Sequence, residues 1–150
     1  MKRLLKIFVP VVLLVGLFVV VQQLNQPEVV EGEKSITINF FVEEDGEKVE
    51  FAVATKTISS DELQTLGDVI DWMDEKEGLD FELGGSKEDT YGRFIVGIGD
   101  HVTEDMSTGP WWLYESETNK DCVEAGYCSG IDMQPVYEDD VFEFTFGYGE

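Results

Sequence analysis

Apolar residues follow three different rhythms along this chain. From Leu4 to Leu24 they are almost continuous, and Ile7–Val21 contains no polar side chain at all. As a helix, that segment would span roughly 30 Å, about the thickness of a bilayer's hydrocarbon core. A period of two follows: Ile36, Ile38, Phe40 and Val42 alternate with Thr37, Asn39 and Phe41, then Val49, Phe51 and Val53 alternate again. Asp45-Gly46 between the two runs supplies the positive-φ pair of a type I′ turn, which predicts a β-hairpin over about residues 35–57. The third rhythm is helical. Leu66, Val69, Ile70 and Met73 fall at i, i+3, i+4 and i+7, with Thr65 as N-cap, Asp68 near the helix N-terminus and Gly78 as the stop. Trp72 lies at the margin of that stripe and reads as a packing residue.

The remainder is glycine-rich and extended. Phe94–Ile98 reads as a short strand, Gly99-Asp100 as a turn, and Trp111–Glu115 as another strand. Phe142, Phe144, Phe146 and Tyr148 form the apolar side of the last one. The order is ββ-α-βββ, an α+β fold with one helix laid on a mixed sheet, which is a β-grasp-like arrangement. The chain divides into a hydrophobic helix at 1–24, an acidic linker at 25–34 and a folded domain at 35–150.

The residues around the first segment assign it a role. Val19–Pro27 reads VVVQQLNQP and offers no small-x-small cleavage site, and no Cys follows for lipid attachment. The segment is therefore expected to remain as a signal-anchor, with secretion after signal-peptide cleavage as the alternative. Lys2, Arg3 and Lys6 would stay in the cytoplasm and place the domain outside the cell.

Charge narrows the partners. The chain has 10 basic and 32 acidic residues, a formal net charge of -22. Residues 28–150 hold 7 of the bases and all 32 acids, a net of -25. Such a surface repels phosphate backbones and anionic lipid headgroups, so nucleic-acid binding is excluded as a function class. With 43% apolar and 12% aromatic residues, the charge does not imply disorder. Cys122 and Cys128 in CVEAGYC are close enough for a disulfide across a turn, in keeping with an oxidising compartment. Two Cys and one His are too few for a zinc site.

Three stretches between Leu66 and Phe146 resemble a bacterial family of unknown function named for its similarity to the carboxy-terminal β-domain of transcobalamin. Thr65-Leu66-Gly67-Asp68-Val69-Ile70 resembles its T-x-x-D-A-L helix opening. Tyr91–Asp100 resembles its G-x-x-I-x-x-I-N-G strand and turn, and Gly109–Tyr114 its G-x-x-W-M-Y strand. Ser129-Gly130-Ile131 through Asp139-Asp140-Val141 resembles x-G-V…D-G-D-x-I, with Asp139 standing where the family has Gly. After Tyr114, Glu115–Ser129 replaces a short Asn-Gly turn with a longer loop carrying both cysteines. The resemblance implies an exported β-grasp of the soluble ligand-binding kind, fixed to the cell surface and capturing a small molecule such as a corrinoid.

Candidate chemistry centres on Trp111, Trp112 and Tyr114. Adjacent strand residues point to opposite faces, so one Trp should enter the core and the other should lie on the uncovered face; Tyr114 shares the side of Trp112. An exposed Trp112–Tyr114 pair would form a platform for a ring system. His101 has no hydrolase signature beside it and reads as a solvated loop side chain. Glu117, Asn119 and Asp121, or Asp100, Glu104 and Asp105, do not fit a twelve-residue calcium loop, so no metal site and no cofactor is expected. The sequence therefore favours a membrane-anchored extracellular small-molecule-binding module, without enzymatic activity, with a transporter or other surface protein as its candidate partner. A surface adhesion or scaffold domain that binds a protein partner is the alternative.

Overall fold

The computed structural model describes residues 34–149, apart from the side chains of residues 51–56. The expected anchor at 1–24, and all but the last residue of the linker, lie outside the described residues. Among the described residues no helix is long and apolar enough to cross a membrane.

The fold is α+β. Strands β1 (Ser35–Glu44) and β2 (Glu47–Ser59) form the expected hairpin, followed by helix α1 (Leu66–Glu77). Strands β3 (Phe81–Gly84), β4 (Phe94–Ile98) and β5 (His101–Val102) come next, then β6 (Trp111–Glu115), helix α2 (Lys120–Ala125), a 3-10 turn at Ile131–Met133 and β7 (Val141–Gly147). A four-stranded sheet has the order β2-β1-β7-β6, in which β1 and β7 are parallel and the other pairs antiparallel. The second sheet, β3-β4-β5, is antiparallel.

This arrangement corrects the expectation of a single sheet. Phe94–Ile98 is a strand, as its pattern predicts, but it pairs with β3 and β5 instead of joining the main sheet. The local causes are turns at both ends of β3 and β4. Gly78 and Asp80 both adopt left-handed backbone after α1 and send Phe81 back toward β4. Gly99, also left-handed, folds β5 directly onto β4.

Turn and cap chemistry otherwise follows the sequence closely. Asp45 and Gly46 have φ of 52° and 81°, as a type I′ turn requires. At the start of α1, Asp68 N–H donates to Thr65 Oγ1 (3.2 Å) and Thr65 N–H donates to Asp68 Oδ2 (2.9 Å), a reciprocal capping box. Asp139, in place of the resembled family's Gly, has φ 62° and takes the left-handed turn that position demands.

Helix α1 covers one face of the main sheet. Leu66, Val69, Ile70 and Met73 pack with Ile36, Ile38, Phe40, Phe142 and Phe144, all nearly or fully buried, while Ile95 and Ile98 join them from the second sheet. A set of close contacts then ties α1 to the loops. Arg93 donates through Nε and Nη2 to Asp132 and through both Nη atoms to Asp71 on α1, with distances of 2.7–3.2 Å. Burial pushes the Asp132 carboxyl up, but the Arg93 hydrogen bonds and charge outweigh it and hold Asp132 below its ordinary value of 3.8. Gly67 leaves room for this pair: a Cβ there would lie 2.2 Å from Asp132 Oδ1.

Three stability outcomes are expected. Thr65→Ala should cost about 1 kcal/mol in urea unfolding through loss of the cap. Gly67→Ala should destabilise by about 1–3 kcal/mol, although Ala for Gly inside a helix ordinarily stabilises, because the methyl group displaces a carboxylate fixed by Arg93. Asp132→Asn should also destabilise at neutral pH, by up to roughly 3 kcal/mol. A carboxylate whose pKa falls on folding stabilises above its unfolded pKa and loses that contribution as pH falls through the folded value. The Asp132→Asn deficit should therefore shrink in acid below the ordinary carboxylate range, as read by unfolding curves across pH.

Candidate functional site

The free face of the main sheet carries the side chains that alternate with the core set. Reading across it, Leu113 on β6 lies beside Thr145 on β7, Phe41 on β1 and Glu50 on β2. In the neighbouring rows, Trp111 pairs with Gly147, Glu43 with Lys48, and Glu115 with Glu143. A flat sheet would leave this face open, but the hairpin does not stay flat. The β1–β2 register slips between Asn39 and Phe41, and such bulges bend a strand and increase its twist.

Side-chain contacts show where the bend leads. Lys48 pairs with Glu43, whereas Glu143 lies level with Asn39, four residues back along β1. Four residues of strand are about 13 Å. Yet Lys48 Nζ is 3.0 Å from Glu115 Oε1 and 3.6 Å from Glu143 Oε2. The hairpin tip must therefore curl over the face, which also brings Lys48 Nζ over Phe41, 5.9 Å from that ring's centroid.

Between the curled tip and strands β6 and β7 lies a groove of about 500 Å³. Glu43, Gly46 and Lys48 line it from the tip; Leu113, Glu115, Glu143 and Thr145 line it from the sheet. Tyr114, Gly147 and Gly149 complete its lining, and the two glycines leave room for their neighbours there: a Cβ on Gly147 would meet Glu43, and one on Gly149 would meet Leu113. Glu43 Oε2 accepts the Tyr148 N–H at 3.3 Å, while the hydrogen bond to Glu115 raises the Lys48 pKa above its ordinary value. The lining is thus three carboxylates and one ammonium around a small apolar floor. Such a surface suits a neutral or cationic ligand and disfavours an anion.

The tryptophans separate as adjacent strand residues must. Trp111 is half-buried and pairs with Gly147 of the groove lining, its Nε1 donating to the Met106 carbonyl (3.0 Å) and its ring edge-on to the exposed Tyr148. Trp112 is in the core, packed against Phe40 and Phe146, with Nε1 donating to the His101 carbonyl (2.8 Å). Tyr114 points the same way: its ring stacks on Phe144, its hydroxyl donates to the Ser129 carbonyl, and burial pushes its pKa up. The expected Trp112–Tyr114 platform is therefore not at the surface. It is the helix-covered face that absorbs this pair, because Phe40, Phe142 and Phe144 already make that face the apolar one.

Cys122 and Cys128 form a disulfide, as expected. The loop between β6 and β7 is not irregular, however. Asn119 is wholly buried, caps α2 by accepting from the Asp121 and Cys122 N–H groups, and donates through Nδ2 to Pro135 O and Asp140 Oδ2. Buried Gln134 donates back to Asn119 Oδ1 at 2.9 Å. These bonds occupy the side chain of Asn119, and its neighbour in the polar cluster, Asp121, accepts the Tyr137 hydroxyl (2.8 Å). Among the described residues, no group of three His, Cys, Asp or Glu side chains is placed to hold a metal ion.

The groove residues Glu43, Lys48, Glu115 and Glu143 carry no sequence signal beyond alternation. What joins them is a bulge and a strand order, neither of which the local pattern announces.

Trp112→Ala should destabilise the protein by about 3–5 kcal/mol in urea unfolding, the range for a large aromatic removed from a core, whereas Trp111→Ala should cost far less. Reducing Cys122–Cys128, which closes a loop with a sequence separation of 6, should cost about 2 kcal/mol in the chain-entropy picture.

No protein-family model matches this chain, and no curated protein matches it. Among solved structures, it is similar to the 1.30 Å crystal structure of a "putative metal binding protein" from Ruminococcus gnavus ATCC 29149. The two share 26% sequence identity and a TM-score of 0.47, over 79% of this chain and 100% of that one.

Proposed function

We propose that this domain is a ligand-binding module whose site is the groove under the β1–β2 hairpin tip, with Trp111 and Tyr148 at its end. The observation that carries this reading is the groove itself: an apolar floor with a few converging charged groups, of a volume in the range typical of small-molecule sites. Trp111 and the exposed Tyr148 offer ring faces and edges beside it. An acidic rim on an acidic protein favours a neutral or cationic ligand. The four-stranded mixed sheet under one helix supports a β-grasp-like reading of the domain, in line with the resemblance of Thr65–Ile70, Tyr91–Asp100 and Gly109–Tyr114 to a ligand-binding β-grasp family. Anchoring by residues 1–24, with the domain on the outer side of a bacterial membrane, fits Lys2, Arg3 and Lys6 ahead of the apolar run from Ile7, and the disulfide favours an oxidising compartment. Catalysis is not part of the proposal.

A protein partner is the second reading, and strand β2 is the observation that favours it. It lies at the edge of the main sheet and is 13 residues long, the type of edge that accepts an added strand.

A thermal-shift screen of the protein against ring-containing compounds, with a corrinoid, a porphyrin and calcium chloride among its arms, tests the first reading. A hit that binds at the groove should lose about 1–3 kcal/mol of binding free energy on Trp111→Ala, with the unfolding midpoint little changed. A screen without any shift, or hits indifferent to Trp111, would overturn the reading and leave the edge strand as the better candidate.

A further inference from the structure

The groove already holds a cation. It is not bound from solution; it is the ammonium of Lys48, carried across the sheet by the hairpin tip and placed between Glu115 and Glu143. That ammonium also lies 5.9 Å from the centroid of the Phe41 ring, and the exposed Leu113 lines the groove beside the two carboxylates, so a positively charged head and an apolar surface meet there. Lys48 has a nearer carboxylate in sequence register, Glu43, directly across the hairpin. Glu43 instead accepts from the backbone N–H of Tyr148. The lysine thus spans the groove although a local partner stands opposite it.

We infer that the groove recognises an alkylammonium group, such as a lysine side chain or a primary amine with a short hydrocarbon tail, and that Lys48 is a tethered competitor that occupies the place between Glu115 and Glu143 in the free protein. This inference rests on the ligand-binding reading above and names the ligand class. The side chains of Lys48, Glu115 and Glu143 are 47%, 67% and 41% exposed, so the latch is a solvated ion pair and is displaced cheaply. An incoming amine would take the place between Glu115 and Glu143, its tail resting on Leu113, while Lys48 swings into solvent with the hairpin tip. An anionic ligand meets three carboxylates there, and a neutral ligand leaves the latch in place.

Titration of the full chain with n-pentylammonium chloride, followed by two-dimensional amide NMR at low ionic strength, tests this. The neutral isostere n-pentanol serves as the control. The amides of Leu113 and Thr145 should shift with pentylammonium and not with pentanol. Lys48→Ala should tighten pentylammonium binding about two- to five-fold, the factor a surface ion pair contributes when it competes. Glu115→Gln combined with Glu143→Gln in the Lys48→Ala protein should abolish the localised shifts, leaving only the diffuse effects of a cation on an acidic surface. All of these positions are on the solvated face, so the variants should keep the parent's amide spectrum away from the groove. Equal or weaker binding by Lys48→Ala, or shifts unaffected by the two glutamine substitutions, would overturn the inference. If neutral ring compounds shift Leu113 and Thr145 while pentylammonium does so in no variant, the ligand-binding reading survives and the amine class falls. If nothing perturbs the groove, both fall.

Discussion

Parallel pairing between the first and last strands is the constraint on which the rest of this structure depends. β1 and β7 are far apart in the chain and lie side by side in the middle of the main sheet, with Ile38 level with Phe142 and Phe40 level with Phe144. That register fixes both faces at once. The even-numbered residues of β1 and β7 form the wall against which α1 packs, and the odd-numbered ones set Phe41 beside Thr145 on the free face. Parallel strands cannot be joined by a hairpin, so everything between them must act as one long crossover. After β2, which pairs back onto β1, that crossover consists of α1, the small sheet, β6 and α2, and each is held where it closes the core or caps it.

The crossover is secured by polar contacts as much as by apolar ones. Arg93 spans from β4's entry to Asp71 on α1 and Asp132 in the 3-10 turn, so one guanidinium ties three segments together. Asn119, Gln134 and Asp140 do the same for the segment before β7, where buried loop backbone would otherwise lack partners. Burial pushes the Asp140 carboxyl upward, while the Tyr137 N–H and the Asn119 amide restrain that rise. Lys34, at the point where the chain enters the fold, is 1% exposed and donates to the Leu63 carbonyl at 2.6 Å. Burial lowers its pKa, partly opposed by the Asp68 charge. Such groups specify loop positions that hydrophobic contact alone would leave free.

The candidate site arises from the same sheet by a different route. A bulged hairpin twists more than a regular one, and the twist carries its tip over the free face. The groove is thus a space between two parts of one sheet, not a cavity in the core. Its position keeps the candidate site separate from the core: changes at Lys48, Glu115 or Leu113 act on a solvated face, while Trp112 and Tyr114, on the same strand as Leu113 and Glu115, pack on the helix-covered face.

Local sequence determined the elements whose causes are local. Alternation in Ile36–Val42 and Phe142–Phe146, the Asp45-Gly46 turn, the Thr65–Asp68 capping box, the Gly78 stop and the Cys122–Cys128 pairing each depend on residues within a few positions of one another, so the chain states them directly. The α+β class follows from their order. The split into two sheets did not follow, because nothing within Phe94–Ile98 says which strand it will pair with; that depends on the left-handed turn at Gly78 and Asp80, which returns Phe81–Gly84 to its side. Helix α2 was hidden inside a polar loop, since a six-residue helix shows no periodicity and is held by Asn119 and the disulfide. Adjacency placed Trp111 and Trp112 on opposite faces, but only the packed aromatic wall decided that Trp112 faces inward. The groove was least legible of all: Glu43, Lys48, Glu115 and Glu143 come from four strands and meet only because β1 and β7 pair in parallel and the hairpin bends. Such distant coincidences are set by tertiary geometry, and no short stretch of sequence contains them.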